Sequence, residues 1–308
     1  MGKIAVIGSN MVDLVTYVDR MPVRGETLEA PGFEIGCGGK GANQAVAAAK
    51  LGAEVVMVTK VGDDLFADNT LRNFAQAGID TEHVRRVPGV PSGVAPIFVE
   101  PDSSNSILIV KGANRHLLPA DIDAAAERIA SCALIVLQLE IALDTVYYAL
   151  EFGAARGIPV LLNPAPAVPG LDLARIAQAE FFVPNETELA IVTGMPVDSP
   201  AAIERAAASL VERGLRNVIV TLGARGSLWM SARGAHHAPG VPVDARDTTG
   251  AGDAYIGCFA HRYVAAGDVA DAMRHASAYA AHSVTGRGTQ KAYADAATFA
   301  RFLRGIVF

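Results

Sequence analysis

The chain has 308 residues, 51% of them hydrophobic, enough for a large core built as one α/β domain with an insertion or as two domains. Its 26 basic and 32 acidic side chains leave a formal net charge of −6 with no basic stripe, which argues against general nucleic-acid binding, so an anionic ligand must be held by local geometry. Apolar runs such as ALIVL stop far short of a bilayer span, which excludes a membrane-crossing helix.

The first run, KIAVIG, reads as a buried strand that hands over to GSNMVD at 8–13, a turn where α/β proteins present ligand-binding groups. Met11 stands there between Asn10 and Asp13, where a core gap-filler and a substrate contact are both open readings. Beyond it, helix-period segments alternate with short apolar runs: ANQAVAAAKLG, EVVMVT, DLFADNTLRNFAQAG, ALIVLQL, DTVYYALEFGAARG and IPVLLN. Later come FFVP, a helix from about Glu186, NVIVTLG, and Ala-rich helices near Gly252 and Asp268. The alternation, with Gly closing several helices, predicts a doubly wound, mostly parallel α/β sheet. Two segments, 14–35 and 91–111, interrupt it with β-rich pieces set between Pro, Gly, Asp and Ser, and they are expected to form a small β-sheet lid. No signal-like segment follows Lys3, and Cys37, Cys132 and Cys258 are spaced for neither a disulfide framework nor a zinc site; both point to a reducing cytoplasm.

Four stretches carry chemistry. GCGGKGAN at 36–43 contains G-x-G-x-x-G (Gly36, Gly38, Gly41), with Asp63 following as in a dinucleotide fingerprint, which is the NAD-dependent dehydrogenase reading. Against it, the first βα turn is GSNMVD; a Walker A loop is excluded because Gly41 follows Lys40. DTTGAGDAY at 247–255 leads Gly250, Ala251 and Gly252 into Asp253 and a helix. Free N–H groups at a helix start suit the charge on a transferring phosphoryl group, and a carboxylate there can take a proton from an attacking hydroxyl; N-terminal capping is the plainer role for Asp253. PNETE at 184–188 reads as a helix cap or part of a Mg²⁺ water shell, and TLGARG at 221–226 as a Gly-bearing turn after a strand.

Together and in this order, GGKGANQAVAAAKLGA with VGDD, and DTTGAGDAYIG, resemble the two signatures of the PfkB carbohydrate kinase family on its ribokinase branch, a likeness running from Lys3 to the final helix. The resemblance outweighs the dehydrogenase reading. It implies ATP-dependent phosphorylation of a sugar hydroxymethyl group, on a Rossmann-like domain whose lid often clasps a second subunit. A homodimer is therefore expected, with sugar and ATP as partners and neither nucleic acid nor membrane. A catalytically silent sugar-binding protein on the same fold is a third reading.

By position, the resemblance makes Asp253 the base for the sugar 5-hydroxyl and Gly250, Ala251 and Gly252 the anion hole. Met11, Asp13, Gly39, Lys40, Asn43 and Glu140 match sugar-contacting positions, and Asn185 and Glu188 match the stretch near the phosphates and Mg²⁺, which Glu188 would reach indirectly. Thr221, Leu222, Gly223, Ala224, Arg225 and Gly226 match the loop under ATP, where Gly252 also takes part, and Ser277 an adenine-side contact. A monovalent-cation loop, for K⁺, maps to Asp247, Thr249, Ser283, Gly286 and Gly288; Ala292 stands where a serine hydroxyl is usual, so water or a shifted carbonyl completes the shell or K⁺ binds more weakly. Ribose-phosphorylating members typically read G-S-I-N-x-D at the first turn, whereas here Met11 takes the Asn position. Met donates no hydrogen bond, and an apolar group suits a sugar carbon without its hydroxyl. The run resembles the deoxyribose-phosphorylating members more closely, so 2-deoxy-D-ribose is the expected substrate and D-ribose the alternative.

Overall fold

A computed structural model describes residues 2–101 and 104–306. Asp102 and Ser103, inside the second expected lid segment, lie outside the described residues. In chain order the strands are β1 (Lys3–Ile7), β2 (Met11–Tyr17), β3 (Gly32–Gly38), β4 (Val55–Val61), β5 (Asp80–Arg86), β6 (Val94–Val99), β7 (Asn105–Ile107), β8 (Cys132–Leu137), β9 (Val160–Leu162), β10 (Phe181–Phe182), β11 (Asn217–Thr221), β12 (Ser227–Ser231) and β13 (Gly234–Ala238). The helices are α1 (Lys40–Lys50), α2 (Leu65–Gln76), α3 (Pro119–Ala124), α4 (Ala126–Ala130), α5 (Leu143–Arg156), α6 (Leu173–Ile176), α7 (Glu186–Thr193), α8 (Pro200–Glu212), α9 (Ala251–Ala266), α10 (Val269–Ser283) and α11 (Ala296–Leu303).

The larger sheet runs β13-β12-β11-β10-β9-β8-β1-β4-β5 and is parallel from β11 to β5. β1 is apolar after Lys3 because both its faces are covered. Ala5 and Ile7 enter one core with Ile135, Leu137 and Leu150; Ile4 and Val6 enter the other with Val46, Val136 and Phe259. β5 (DTEHVRR) and the antiparallel hairpin β12–β13 extend this sheet beyond the expected elements. β5 lacks an apolar alternation because it is an edge strand, where charged side chains also discourage pairing with another chain.

The smaller sheet runs β3-β2-β6-β7, antiparallel at β2–β3 and β6–β7 and parallel at β2–β6. It draws on both expected lid segments but begins at Met11 and includes Gly36 to Gly38. Both of its roots are therefore part of the candidate site. Among the described residues no helix is long and apolar enough to cross a membrane.

Candidate active site

In the large sheet β1 lies between β8 and β4, so the chain leaves its carboxyl end in two directions and opens a crevice there. The carboxyl ends of β8, β9, β10 and β11 add Gln138 to Glu140, Asn163, Asn185 and Thr221 along the same edge. Helix α9 starts above it. Gly250 is left-handed (φ 76°), and a side chain there would meet Thr289 Cγ2 at 2.2 Å, so only glycine fits. Tyr293 Oη donates to the Gly250 carbonyl at 2.9 Å and fixes the turn.

Asp253, in the first turn of α9, is 7% exposed. Its carboxylate accepts from Asn43 Nδ2 and Gln44 Nε2, each at 2.9 Å. Small residues make this possible: a side chain at Gly257 would lie 2.5 Å from Ala47 Cβ, so α1 and α9 touch at that point. The Ala run of α1 and the last Gly of DTTGAGDAYIG thus bring residues 43 and 253 together. Past Asp253 the helix start is open: a Cβ on Gly252 would meet nothing within 4 Å, residues 250–253 line a cavity, and the first-turn N–H groups have no preceding helical turn to bond, though the Ala251 N–H reaches the Thr248 carbonyl at 3.3 Å.

Lys40, Glu140 and Asp13 form the other side. Glu140 Oε2 accepts from the Lys40 N–H at 2.9 Å and from Ser9 Oγ at 2.5 Å, tying the start of α1 to the ends of β1 and β8. Gly39 precedes α1 at φ 87°, where a Cβ would sit 2.7 Å from the Met11 nitrogen, so the two backbones pass in contact. Asp13 faces Gly36 across the β2–β3 ladder, and a Cβ at Gly38 would lie 2.3 Å from its Oδ1. Burial pushes the Asp13 carboxyl up to about 6, with Glu140 and Asp253 adding to the rise. Burial works against the charge of Lys40, yet Asp253, Glu140 and Glu188 together hold its ammonium above the ordinary value. Burial also raises Glu188, and Asp253 adds to it, against the opposing Asn185 N–H and Lys40. One ammonium thus stands among several carboxylates.

A cavity of ≈ 170 Å³ joins Lys40, Asn185, Glu188, Thr221 and residues 250–253. Its lining also includes Asn163 and Thr248. Asn185 and Glu188 cap α7 reciprocally: Asn185 Oδ1 accepts from the Glu188 N–H and Glu188 Oε2 from the Asn185 N–H, both at 2.8 Å. Capping, one of the two readings of PNETE, is therefore present, while Glu188 still lines the cavity. Thr221 pairs with Asn185, and beyond it Leu222, Gly223, Ala224, Arg225 and Gly226 form a tight turn in which the Leu222 N–H bonds the Gly226 carbonyl at 2.8 Å and Arg225 pairs with Glu186. Ser277, on α10, is 7% exposed with no hydrogen-bond partner for its hydroxyl. An orphaned buried hydroxyl and an open helix start are features that a nucleotide would complete.

The expected cation residues are also adjacent. Asp247 accepts from the Thr249 N–H at 2.9 Å and the Gly288 N–H at 2.8 Å, and the Asp247 and Arg246 N–H groups both bond the Val284 carbonyl. Burial opposes the Asp247 charge, but these N–H groups and Arg287 hold its carboxyl below the usual range. Ser283 Oγ donates to Ala280 O, and a Cβ on Gly286 would sit 3.0 Å from Ala292 Cβ, so a methyl group occupies the place of the usual hydroxyl. What remains is a set of carbonyl and carboxylate oxygens, which suits a hard cation.

Met11 is 2% exposed, on the same strand face as Asp13, and does not line the cavity. Asn10, its neighbour, turns inward to Thr59 Oγ1 and the Lys60 carbonyl at 2.9 and 2.7 Å and is structural. Gly36 and Gly38 belong to lid strand β3 rather than to a first βα turn, which removes the geometry that the dinucleotide reading needs. Sequence reasoning did not single out Gln44, Gln138, Asn163 or Gln290, all buried and linked around Asp253. Asn163 alone carried a signal, a polar residue ending the apolar run IPVLLN at the sheet's carboxyl edge.

An open helix N-terminus beside a buried carboxylate, under a small lid on a Rossmann-like sheet, suits the transfer of a phosphoryl group to a hydroxyl. The model of the pfkB family carbohydrate kinases matches residues 1–296, and the chain belongs to that family. It is 62% identical over 300 residues to the deoxyribokinase of Salmonella typhi, covering 97% of this chain and 98% of that one. It is 39% identical over 294 residues to the ribokinase of Mus musculus, covering 94% and 91%. The Arabidopsis thaliana ribokinase complexed with ribose and ATP superposes with a TM-score of 0.92 at 29% identity, covering 98% of this chain and 99% of that chain.

Proposed function

We propose that the protein transfers the γ-phosphoryl group of ATP to the 5-hydroxyl of 2-deoxy-D-ribose, giving 2-deoxy-D-ribose 5-phosphate and ADP. The observation that carries this is Asp253, held by two amide donors beside the open N-terminus of α9. Asp253 accepts the hydroxyl proton as the oxygen attacks, and the N–H groups of Gly250, Ala251 and Gly252 would meet the charge that develops on the phosphoryl oxygens. Lys40 adds a positive charge from the cavity wall. Asp13 and Asn43 are placed to hold the sugar hydroxyls, and Glu140 orders the Lys40 backbone. Thr221 to Gly226 and Ser277 would hold the nucleotide. Glu188 would hold Mg²⁺ indirectly, the ion supplying charge neutralisation at the phosphates, and Asp247, Thr249, Ser283, Gly286 and Gly288 would hold K⁺.

The 62% identity to a deoxyribokinase, against 39% to a ribokinase, and the buried Met11 beside Asp13 favour the deoxy sugar. D-ribose is the second reading, because the rest of the sugar side is shared. ADP release with 2-deoxyribose, ribose, fructose and adenosine tests both: the highest kcat/KM is expected with 2-deoxyribose, and a higher value with ribose overturns the assignment. Sugar binding without ADP release would leave a silent binding protein.

Across the lid, Leu14 faces Ile35 and Pro96, while Thr16 faces Phe33 and Phe98. Phe33 and Ile35 are 58% and 48% exposed, an apolar face that a second subunit's lid would cover. Light scattering at micromolar concentration should report a dimer; a fully active monomer argues against the clasp. A cytoplasmic location agrees with three free cysteines.

A further inference from the structure

The Asp253 carboxylate ends two lines of buried amides. Ionised, it has no hydrogen to give, so each amide must turn its NH₂ group toward it. Asn43 therefore points its carbonyl away, and Gln290 Nε2 donates to that carbonyl at 2.8 Å. Gln290 in turn presents Oε1 to Asn73 Nδ2 at 2.7 Å. On the other side Gln44 faces Asp253 and accepts from Gln138 Nε2 at 2.6 Å. Along these two lines each amide points toward the carboxylate; Asn163, a side branch, accepts from Gln44 Nε2 at 3.3 Å and donates to the Val183 carbonyl at 2.8 Å. Gln290 is 6% exposed and its own carbonyl accepts from Lys50 Nζ at 2.7 Å, so the line is anchored at a fixed point of the loop after α10. Neither Gln290 nor Asn73 lines the cavity.

We infer that Gln290 and Asn73 are positioning residues that fix, through Asn43, the direction of the amide facing Asp253, and so keep that carboxylate aligned to accept a proton. An inverted Asn43 would set a carbonyl oxygen against a carboxylate oxygen. A charge-assisted hydrogen bond would become a repulsion between largely buried groups. α2, which carries Asn73, thereby acts on the start of α9 through Gln290 and then Asn43, with Asn73 and Gln290, the first two members of the line, lying outside the cavity.

The test sets substitutions that change polarity while keeping shape against one that removes the side chain. Asn73→Asp offers Gln290 an acceptor where a donor stood, which turns the Gln290 amide round and Asn43 after it. Asn73→Ala removes the last donor, which loosens the line without opposing its direction. A merely structural Asn73 tolerates Asp better than Ala, because Asp preserves volume; the inference requires the opposite order. Expected are a fall in kcat of at least about tenfold for Asn73→Asp and for Gln290→Glu, a smaller fall for Asn73→Ala, and an unchanged KM for ATP. Both losses persist when tetramethylammonium chloride raises the ionic strength at fixed K⁺, since salt screens a through-space charge but does not restore a reversed hydrogen bond. Asn73→Asp at least as active as Asn73→Ala, or a loss that salt removes, overturns the inference. It rests on Asp253 as the base: an active Asp253→Asn overturns that reading, whereas an inactive Asp253→Asn with a fully active Asn73→Asp overturns only the relay.

Discussion

Asp13→Asn removes a carboxyl group that folding buries beside Glu140 and Asp253, and the variant should be more stable at neutral pH while losing activity. In the native state this carboxyl titrates at about 6, against 3.8 unfolded. Between those values the native state holds the proton more tightly, so the stability Asp13 contributes is fully present below about pH 4 and lost as pH rises through about 6. At 1.36 kcal/mol for each tenfold change in acidity, ionised Asp13 costs the fold about 3 kcal/mol above pH 7. Asn has nearly the shape of protonated Asp and never ionises, so it removes both the cost and the slope. Urea unfolding read by circular dichroism at pH 4.5 and pH 8 measures the difference. Wild type should lose about 2 kcal/mol relative to the variant between those values. Parallel stability curves would refute the reasoning and mean that Asp13 is neutralised by an unseen partner. The same variant should lose roughly 10- to 100-fold in kcat/KM for the sugar, because a hydrogen bond to a charged acceptor is gone.

Asp253→Asn should leave the fold and ATP binding intact but lower kcat by about 10² to 10⁴, measured as ADP release; near-normal turnover removes Asp253 from the base role. Met11→Asn should swing the kcat/KM ratio between ribose and 2-deoxyribose toward ribose by at least about tenfold, since ribose buries its 2-hydroxyl against Met11 without a donor while the new amide lacks a partner in the deoxy sugar. An unchanged ratio would make Met11 a core gap-filler, in keeping with its 2% exposure. K⁺ should raise activity over Na⁺ at matched ionic strength, because the Asp247 carboxylate and the 283–288 turn are already tied together. Equal rates would show that Ala292 has removed the effect.

The alternation of apolar runs and amphipathic segments was legible because each requirement is local. KIAVI is apolar throughout because both its faces are covered, and DTTGAGDAY carries its turn in Gly250, which no side chain can replace. Asn185 and Glu188 announced a cap by their spacing alone. β5 and β13 were not legible, since an edge strand has a partner on one side only and need not alternate, and β12 (SLWMS) between β11 and β13 is too short and mixed to stand out. Nor were the partners of Asp253: Asn43 and Gln44 lie more than two hundred positions away and reach it because Gly257 lets α9 press against Ala47. Gln290, Gln138 and Asn163 look like ordinary polar residues until packing closes them off from water, and then each must find a partner. The raised Asp13 carboxyl belongs to the same class, for its charge is costly only once β2, β8 and α9 have brought Glu140 and Asp253 near it. Local sequence determined which elements form and where their backbones must bend; tertiary packing decided which charges share one buried site, because burial and long-range proximity exist only after the chain has folded.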